Sequence, residues 1–499
     1  MSQALFAFLA SPQLLLMTAI GTWLGIIVGA MPGLTGAMLI ALSLPLTFSM
    51  AGDAAMVLLV SMYVGSVSGG LVTATLLKIP GTPASMMTTL DGYPLAQQGR
   101  ANHALGLGVG ASLAGGLIGW CCLLFMSAPL AKMSVQLGPF EYFSLVLVAL
   151  VLIAGVSGKS LTKGIFAGSL GLLLALPGTN PGTGQPRWTG GVTSLEDGLK
   201  LLPVLIGLFA MSQVFFQVQR IDSESFESTP SSGGSTWFGS WVALCRWGNW
   251  LRSGLLGTFI GILPGVGANI GSVVAYSTAK SLSKEPDQFG KGSEEGIVAS
   301  EAANNASVGG ALIPLFAMGI PGSVIDAILL GALTIHGLQP GPLLIEQNPA
   351  LFQTLLVSVL LSNLLMFLTM GSCARYLVRL SRLPHALLLP TIITLCVLGS
   401  FALANRMFDV WVMLGMGGIG ILFNRQQVPL SPFVIGFVLA PIAETHLVEG
   451  LTQSGGSWLP LLTRPVSALL LSLAGLVLAI ELYQCLRSLS RAGASSQPQ

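Results

Sequence analysis

The segment 295–342, EGIVASEAANNASVGGALIPLFAMGIPGSVIDAILLGALTIHGLQPGP, decides how this chain is read. It is apolar enough for a bilayer, yet it holds Asn304-Asn305, Gly309-Gly310, Pro314 and Gly319-Ile320-Pro321-Gly322-Ser323, with Glu301 and Asp326 alongside. Proline removes a backbone donor and glycine removes side-chain support, so a helix passing through here breaks. Lipid cannot satisfy the freed amides and carbonyls, so the break must be buried in protein or line a cavity. That makes it a candidate binding site.

The composition sets the surroundings. The chain has 499 residues, 53% hydrophobic and 8% charged, far below the charge content of soluble domains. It reads as an all-α polytopic integral membrane protein of roughly 11–13 transmembrane helices, some of them re-entrant or broken. A net charge of +2 gives no reason to expect a nucleic-acid partner. The six cysteines show no CxxC spacing and read as small fillers. The first residues, MSQALFAFLASPQLLLMTAIGTW, lack a basic n-region and a cleavage site, and read as the start of the first span.

Polar interruptions divide the apolar runs. Residues 220–237, RIDSESFESTPSSGGSTW, read as an exposed linker, and 181–200 and 280–295 as further loops. The expected organisation is a first membrane repeat over 1–219, a polar linker and entry over 220–250, a second repeat over 251–487, and a polar, disordered tail over 488–499.

The linker separates two copies of one pattern. Gly25-x3-Gly29-x2-Pro32-Gly33 recurs as Gly257-x3-Gly261-x2-Pro264-Gly265. Gly69-Gly70 followed by Ile79-Pro80-Gly81-Thr82 recurs as Gly309-Gly310 followed by Ile320-Pro321-Gly322-Ser323. Lys and Arg mark cytoplasmic loops. Arg375, Arg379 and Arg382 lie before one apolar run, whereas Lys159 and Lys163 lie one loop later in the other copy, so the repeats read as inverted. Duplicated helix breaks in an inverted repeat are a sequence pointer to a transporter binding site.

Four breaks carry the chemistry: 31–36, 78–85, 263–269 and 319–323. Each supplies glycine amides, and a helix restarting after Pro-Gly presents unpaired N–H groups and about half a positive charge to an anion. The candidate contacts are Pro32, Gly33, Thr35, Lys78, Pro80, Gly81, Thr82, Ser85, Pro264, Gly265, Asn269, Asn304, Asn305, Pro321, Gly322 and Ser323. Two helix N-termini offer about +1. A di- or tricarboxylate therefore needs further neutralisation, from Lys78 or from co-bound Na⁺ or H⁺. Competing readings are structural: the Gly-x3-Gly pairs as helix-packing faces, Asn304-Asn305 as cross-links, Glu301 and Asp326 as interfacial groups, and Lys78 as a snorkelling side chain.

Enzyme motifs fail on context. Residues 155–160, GVSGKS, place Ile153 where a phosphate loop needs its first glycine. Residues 415–420, GMGGIG, match a dinucleotide fingerprint but sit in an apolar run with no preceding strand. Glu444, His446 and Glu449 form a weak metal candidate, and the reading is no enzyme, no cofactor and no structural metal.

The motifs GAMPGLTG (29–36), KIPGTPAS (78–85), GILPGVGA (261–268), EAANNASVGGALIPL (301–315), GIPGS (319–323) and IHGLQPGP (335–342) resemble the large membrane subunit of the tripartite tricarboxylate transporters, the TctA family. The resemblance covers nearly the whole chain. It implies a multi-pass secondary transporter of the bacterial inner membrane, driven by an ion gradient, with no cofactor beyond the coupling Na⁺ or H⁺. It also implies a small TctB-like membrane subunit and a periplasmic TctC-like solute-binding protein as partners. The implied substrate is a tricarboxylate such as citrate or a related organic acid. The alternatives are a different carboxylate or small anion, or a passive anion channel.

Overall fold

The computed structural model describes residues 2–31, 33–156, 160–218, 234–264, 267–377, 385–402 and 404–494. Pro32, Gly265, the side chain of Asn269 and most of the 220–237 linker therefore lie outside the described residues. Apart from one two-stranded hairpin, Gly178–Thr179 with Pro186–Arg187, the regular structure is helical. Among the described residues seven helices are long and apolar enough to cross a membrane, and six shorter apolar helices accompany them. The chain is an all-α polytopic membrane protein.

The chain forms two compact units. The first takes Met1–Lys132, Leu202–Leu263 and Gly267–Ile421, and so draws on both sides of the linker. Its core helices are α1 (Pro12–Gly29), α2 (Gly36–Thr47), α3 (Gly52–Leu77), α4 (Met86–Leu95), α5 (Ala101–Ser134), α6 (Trp247–Ile262), α7 (Gly267–Leu282), α8 (Glu294–Met318), α9 (Val324–Ile335) and α10 (Pro349–Leu377). Local chemistry sets their ends. Ser11, Thr35, Ser293 and Ser323 each accept the N3 amide of the helix that follows, as N-caps do.

The centre of this unit is α3 and α8. From Gly296 to Ala317 every residue of α8 is buried, and from Ala54 to Leu76 every residue of α3. Helix α8 is too polar to qualify as a lipid-facing span, and its encasement in protein removes that cost. Small residues make the encasement close. Carbonyls of α3 fill the space where Cβ atoms of Gly21, Gly25 and Gly29 on α1 would stand; carbonyls of α8 do the same at Gly257 and Gly261 on α6. This is the close packing expected of glycine-spaced membrane helices. Around it Ile26, Leu71, Leu105, Val109, Met366 and Met370 form an apolar cluster.

The second unit comprises Met133–Leu201, Pro264–Val266 and Leu422–Gln499. Its helices Pro139–Val156, Leu161–Ala175, Leu430–Gln453 and Pro465–Ala494 are tied by Glu141–Arg464 (3.1 Å) and by the two-pronged pair of Arg187 with Glu444. His446 stacks on Tyr142 and bonds Glu449 at 3.2 Å. Glu444 and His446 are thus engaged with separate partners, and no metal-binding group of three such residues occurs among the described residues. The last helix continues past residue 487, where the sequence places a polar tail.

Candidate functional site

The candidate site is built from the ends of α3 and α8 with the segments that follow them, set against the ends of α1 and α6. Helix α3 ends on Lys78 in the left-handed conformation (φ 59°), and α8 ends on Gly319 in the same conformation (φ 73°). In both, the next amide turns back to a carbonyl one turn inside: Ile79 N–H to Thr73 O at 3.3 Å, and Ile320 N–H to Pro314 O at 3.2 Å. The chain then drops back along the helix it has left. Gly81 comes to rest against the Gly29 carbonyl and Gly70, and Gly322 against the Gly261 carbonyl and Ala311. Each seat is glycine because a Cβ at Gly81 collides with the Gly29 oxygen, and one at Gly322 stands 2.9 Å from Ala311 Cα.

Counted from these two seats, Lys78 matches Gly319, Thr73 matches Pro314, and Gly69 matches Gly310. Gly69 faces the Ile26 carbonyl and Gly310 the Thr258 carbonyl, so the partners correspond as well. The sequence pairing of Gly69-Gly70 with Gly309-Gly310 is therefore one residue out of register. Gly309 faces Gly119 on α5, and Gly70 lies against Thr82 and Ser85. Sequence letters alone cannot separate two adjacent glycines whose faces differ.

The directions of the helices are also fixed by contacts. Gly70 lies by Thr82, and Thr75 by Gly92, so α4 runs alongside α3. Thr88 meets Ser300 and Glu301 while Asp91 meets Ser293, so α4 runs against α8. Helices α3 and α8 therefore run in opposite senses. Gly36 near Ile325 and Thr47 bonded to His336 (3.0 Å) make α2 and α9 parallel across the two halves.

The predicted side chains fall into three groups. Thr35 Oγ1 accepts the Met38 amide (3.1 Å), Ser323 Oγ the Asp326 amide (3.3 Å), and Ser85 Oγ the Thr82 amide (3.2 Å). These hydroxyls hold the breaks in shape. Gly33, at φ 82°, is exposed with Gln213 and Gln217 beside it, and Pro80, Pro264 and Pro321 occupy the turns themselves. Lys78 is exposed, with Nζ 5.6 Å from the centre of the Tyr93 ring, in the pose expected of a snorkelling lysine.

Asn304 and Asn305 form the second group, and they separate. Asn305 accepts from Ser68 Oγ (2.5 Å) and donates to Ser112 Oγ (2.8 Å) and the Glu301 carbonyl (3.1 Å). Asn304, fully buried, has no hydrogen-bond partner for either Oδ1 or Nδ2. A buried amide left unmade costs about 1–3 kcal/mol, and the polar group beside Asn304 is the Glu301 carboxylate.

The third group is residues that pattern reading singled out less or not at all. Glu301 is 0% exposed and accepts from Thr88 Oγ1 at 2.5 Å and Ser112 Oγ at 3.3 Å. Asp326, also 0% exposed, stands in the first turn of α9 beside the Ser323 hydroxyl and the first amides of the helix, where peptide dipoles favour an anion, with neither oxygen in full hydrogen-bond geometry. Tyr63 on α3 reaches Ser323 at 3.2 Å, so the break after α8 is contacted from the first half. Burial of Glu301 and Asp326 decides against the interfacial alternative. Thr88, Ser112 and Tyr63 carried no signal, because isolated hydroxyls in apolar runs look like packing residues.

At the polar end of α8, beside the exposed loop 283–293, Glu294 binds His103 (2.9 Å), Arg100 (2.8 Å) and Arg246 (2.6 Å). His103 foremost, with both arginines, holds its carboxyl down to about 2 against the opposing effect of burial. A cavity of about 1010 Å³ opens here. Asp91 accepts three amides, from Gly290, Gly292 and Ser293, and the Tyr276 hydroxyl, which pins the loop to α4.

Broken helices packed around buried, unpaired polar groups define a multi-pass membrane protein built to pass a polar solute. The chain belongs to the tripartite tricarboxylate transporter TctA family, whose model matches residues 15–435. It is 32% identical over 469 residues, 94% of this chain and 93% of the relative, to an uncharacterized 52.8 kDa protein in the TAR-I ttuC' 3' region of Agrobacterium vitis. It is 34% identical over 232 residues, 46% of this chain and 96% of the relative, to an uncharacterized protein in the TAR-II ttuC' 3' region of the same organism. No solved structure matches.

Proposed function

We propose that this protein is the large translocating subunit of a tripartite, ion-gradient-driven importer of organic acids in a bacterial inner membrane. A periplasmic solute-binding protein delivers the carboxylate, and a small membrane subunit completes the complex. Tricarboxylates such as citrate are the substrate class that the family name favours. The two halves act as an inverted repeat, a reading supported by the opposite senses of α3 and α8 and by the matched seats of Gly81 and Gly322.

The observation that carries the reading is the unmet polar capacity at the breaks. Asn304 and Asp326 are buried with no side-chain atom in full hydrogen-bond geometry, and Glu301 is buried beside the first of them. Such groups persist in membrane proteins where they meet a solute or an ion. The carboxylates of a substrate bring negative charge to a site that already holds Glu301 and Asp326. Entry therefore requires cations, Na⁺ or H⁺, to travel with it. This is the physical basis of coupling. Movement of the broken-helix core supplies alternating access.

The test is uptake of a panel of radiolabelled organic acids by cells carrying the full gene set, with and without the periplasmic protein. Accumulation against a gradient, lost when ion gradients are collapsed, is the expected result. Equal uptake without the periplasmic protein removes the tripartite reading. Equilibration without accumulation turns the protein into an anion channel.

A further inference from the structure

From the Glu301 cluster we infer that the coupling ion is a proton, that Glu301 carries it, and that Asn304 accepts the hydrogen bond of the protonated carboxyl. This rests on the transport reading above and deepens it.

The hydroxyls bonded to Glu301 donate toward its carboxylate. Ser68 donates to Asn305 Oδ1, Asn305 Nδ2 donates to Ser112 Oγ, and Ser112 then donates to Glu301 Oε2. Thr88 donates to Glu301 Oε1 from the other side, and bonds Ser300 Oγ at 3.1 Å. Both nearest hydroxyls thus aim hydrogens at the carboxylate. Thr88 touches Oε1 directly at 2.5 Å, so these oxygens are bonded to each other and not spread around a central ion. A metal cation requires the reverse, lone pairs converging on one point. A proton requires one acceptor for the new O–H. Asn304, one helical turn from Glu301, keeps its amide beside the carboxylate and outside full hydrogen-bond geometry, and turning that amide over presents Oδ1 to a new O–H.

The charges around the cluster leave that role open. Asp91 on α4 and Tyr276 on α7 are bonded to each other and to loop amides. Arg100 and His103 at the start of α5, and Arg246, are committed to Glu294 at the polar end of α8. From α3 the cluster receives Ser68, and α9 contributes Asp326 at the neighbouring break. Among the described residues no Lys, Arg or His pairs with Glu301. The neighbours of the fully buried carboxylate are the Thr88 and Ser112 hydroxyls and the Asn304 amide, all neutral, and burying a charge without a counter-ion is costly. Proton binding at Glu301 changes the charge of the core by one unit. Adding this proton offsets one negative charge of an arriving carboxylate.

The test reads the carboxyl directly. Infrared difference spectra of the full-length protein in lipid are recorded for wild type and E301Q between about pH 5 and about pH 9, bracketing a buried carboxyl. The expected result is a protonated-carboxyl C=O band that E301Q lacks, that shifts in D2O, and that changes position in N304A through loss of its hydrogen-bond acceptor. Identical wild-type and E301Q spectra, or a band removed at constant pH when sodium replaces choline, overturn the proposal. Should E301Q fail to fold, the same band must still move in N304A and in T88V, and its failure to move in both is decisive against it. In cells, uptake driven by an imposed pH gradient is expected to be lost in E301Q and kept in E301D. If wild type takes up no carboxylate while the band persists, the transport reading fails and the proton site stands.

Discussion

The break after α3 and the break after α8 share a backbone and differ in chemistry. Both leave a left-handed cap, drop back, and seat a glycine on the carbonyl end of a neighbouring helix. At matched positions, however, the first has Lys78, Thr82 and Ser85 where the second has Gly319, Ser323 and Asp326. Likewise Tyr63 on α3 stands where α8 has Asn304, and the tyrosine reaches across to the second half's Ser323. Both breaks are closed by a hydroxyl, through the Thr82–Ser85 bonds in the first and the Ser323–Asp326 bond in the second, but only the second carries a buried carboxylate there. The two breaks share a shape, and the buried carboxylate belongs to the second alone.

The tightness of the two seats can be tested first, and with the largest expected effect. Gly81→Ala places a Cβ into the Gly29 carbonyl and is expected to cost about 3 kcal/mol, against about 1 kcal/mol for Gly322→Ala, whose neighbours stand 2.9–3.0 Å away. Thermal unfolding in detergent measures both. Equal losses would mean the seats are equally strict, and the asymmetry would then lie only in side chains.

The next contrast is within one helix. Asn305→Ala breaks three hydrogen bonds and leaves Ser68 and Ser112 short of a partner, an expected loss of about 2 kcal/mol. Asn304→Ala removes an amide outside full hydrogen-bond geometry, so its loss of stability is expected to be smaller than that of Asn305→Ala while organic-acid uptake is lost. Melting temperature and uptake, measured on the same two preparations, separate scaffold from site. Normal uptake by well-folded N304A rules out contact of that amide with substrate or ion.

Smallest is the effect at Lys78. A left-handed non-glycine residue carries about 1–2 kcal/mol of strain, so Lys78→Gly is expected to stabilise by under about 1 kcal/mol once the freer unfolded chain is counted. If the lysine charge serves the anion, uptake falls in K78G and survives in K78R. Equal uptake in both assigns the residue to the surface, as its place over Tyr93 favours.

Much of this was legible in residue order. Low charge and long apolar runs require a helical membrane protein, and Pro-Gly pairs at 78–85 and 319–323 require breaks, because φ restriction and a missing amide are properties of the residue itself. Asn304 and Asn305 were legible as a polar intrusion but not as two different things. They separate only because Asn305 is bonded to Ser68 and Ser112, whereas Asn304 stands beside the Glu301 carboxylate outside full hydrogen-bond geometry. Thr88 and Ser112 were invisible, since a hydroxyl becomes functional by what it reaches, and both reach a glutamate about two hundred residues away.

Sequence by itself therefore determined the class of protein, the positions of the breaks and the family, all of which depend on local backbone chemistry and on motif order. Tertiary structure alone decided the register of the two copies, the burial of Glu301 and Asp326, and which of two adjacent asparagines is free. Those depend on which faces of distant helices meet. In a membrane core that meeting decides whether a polar group has a partner.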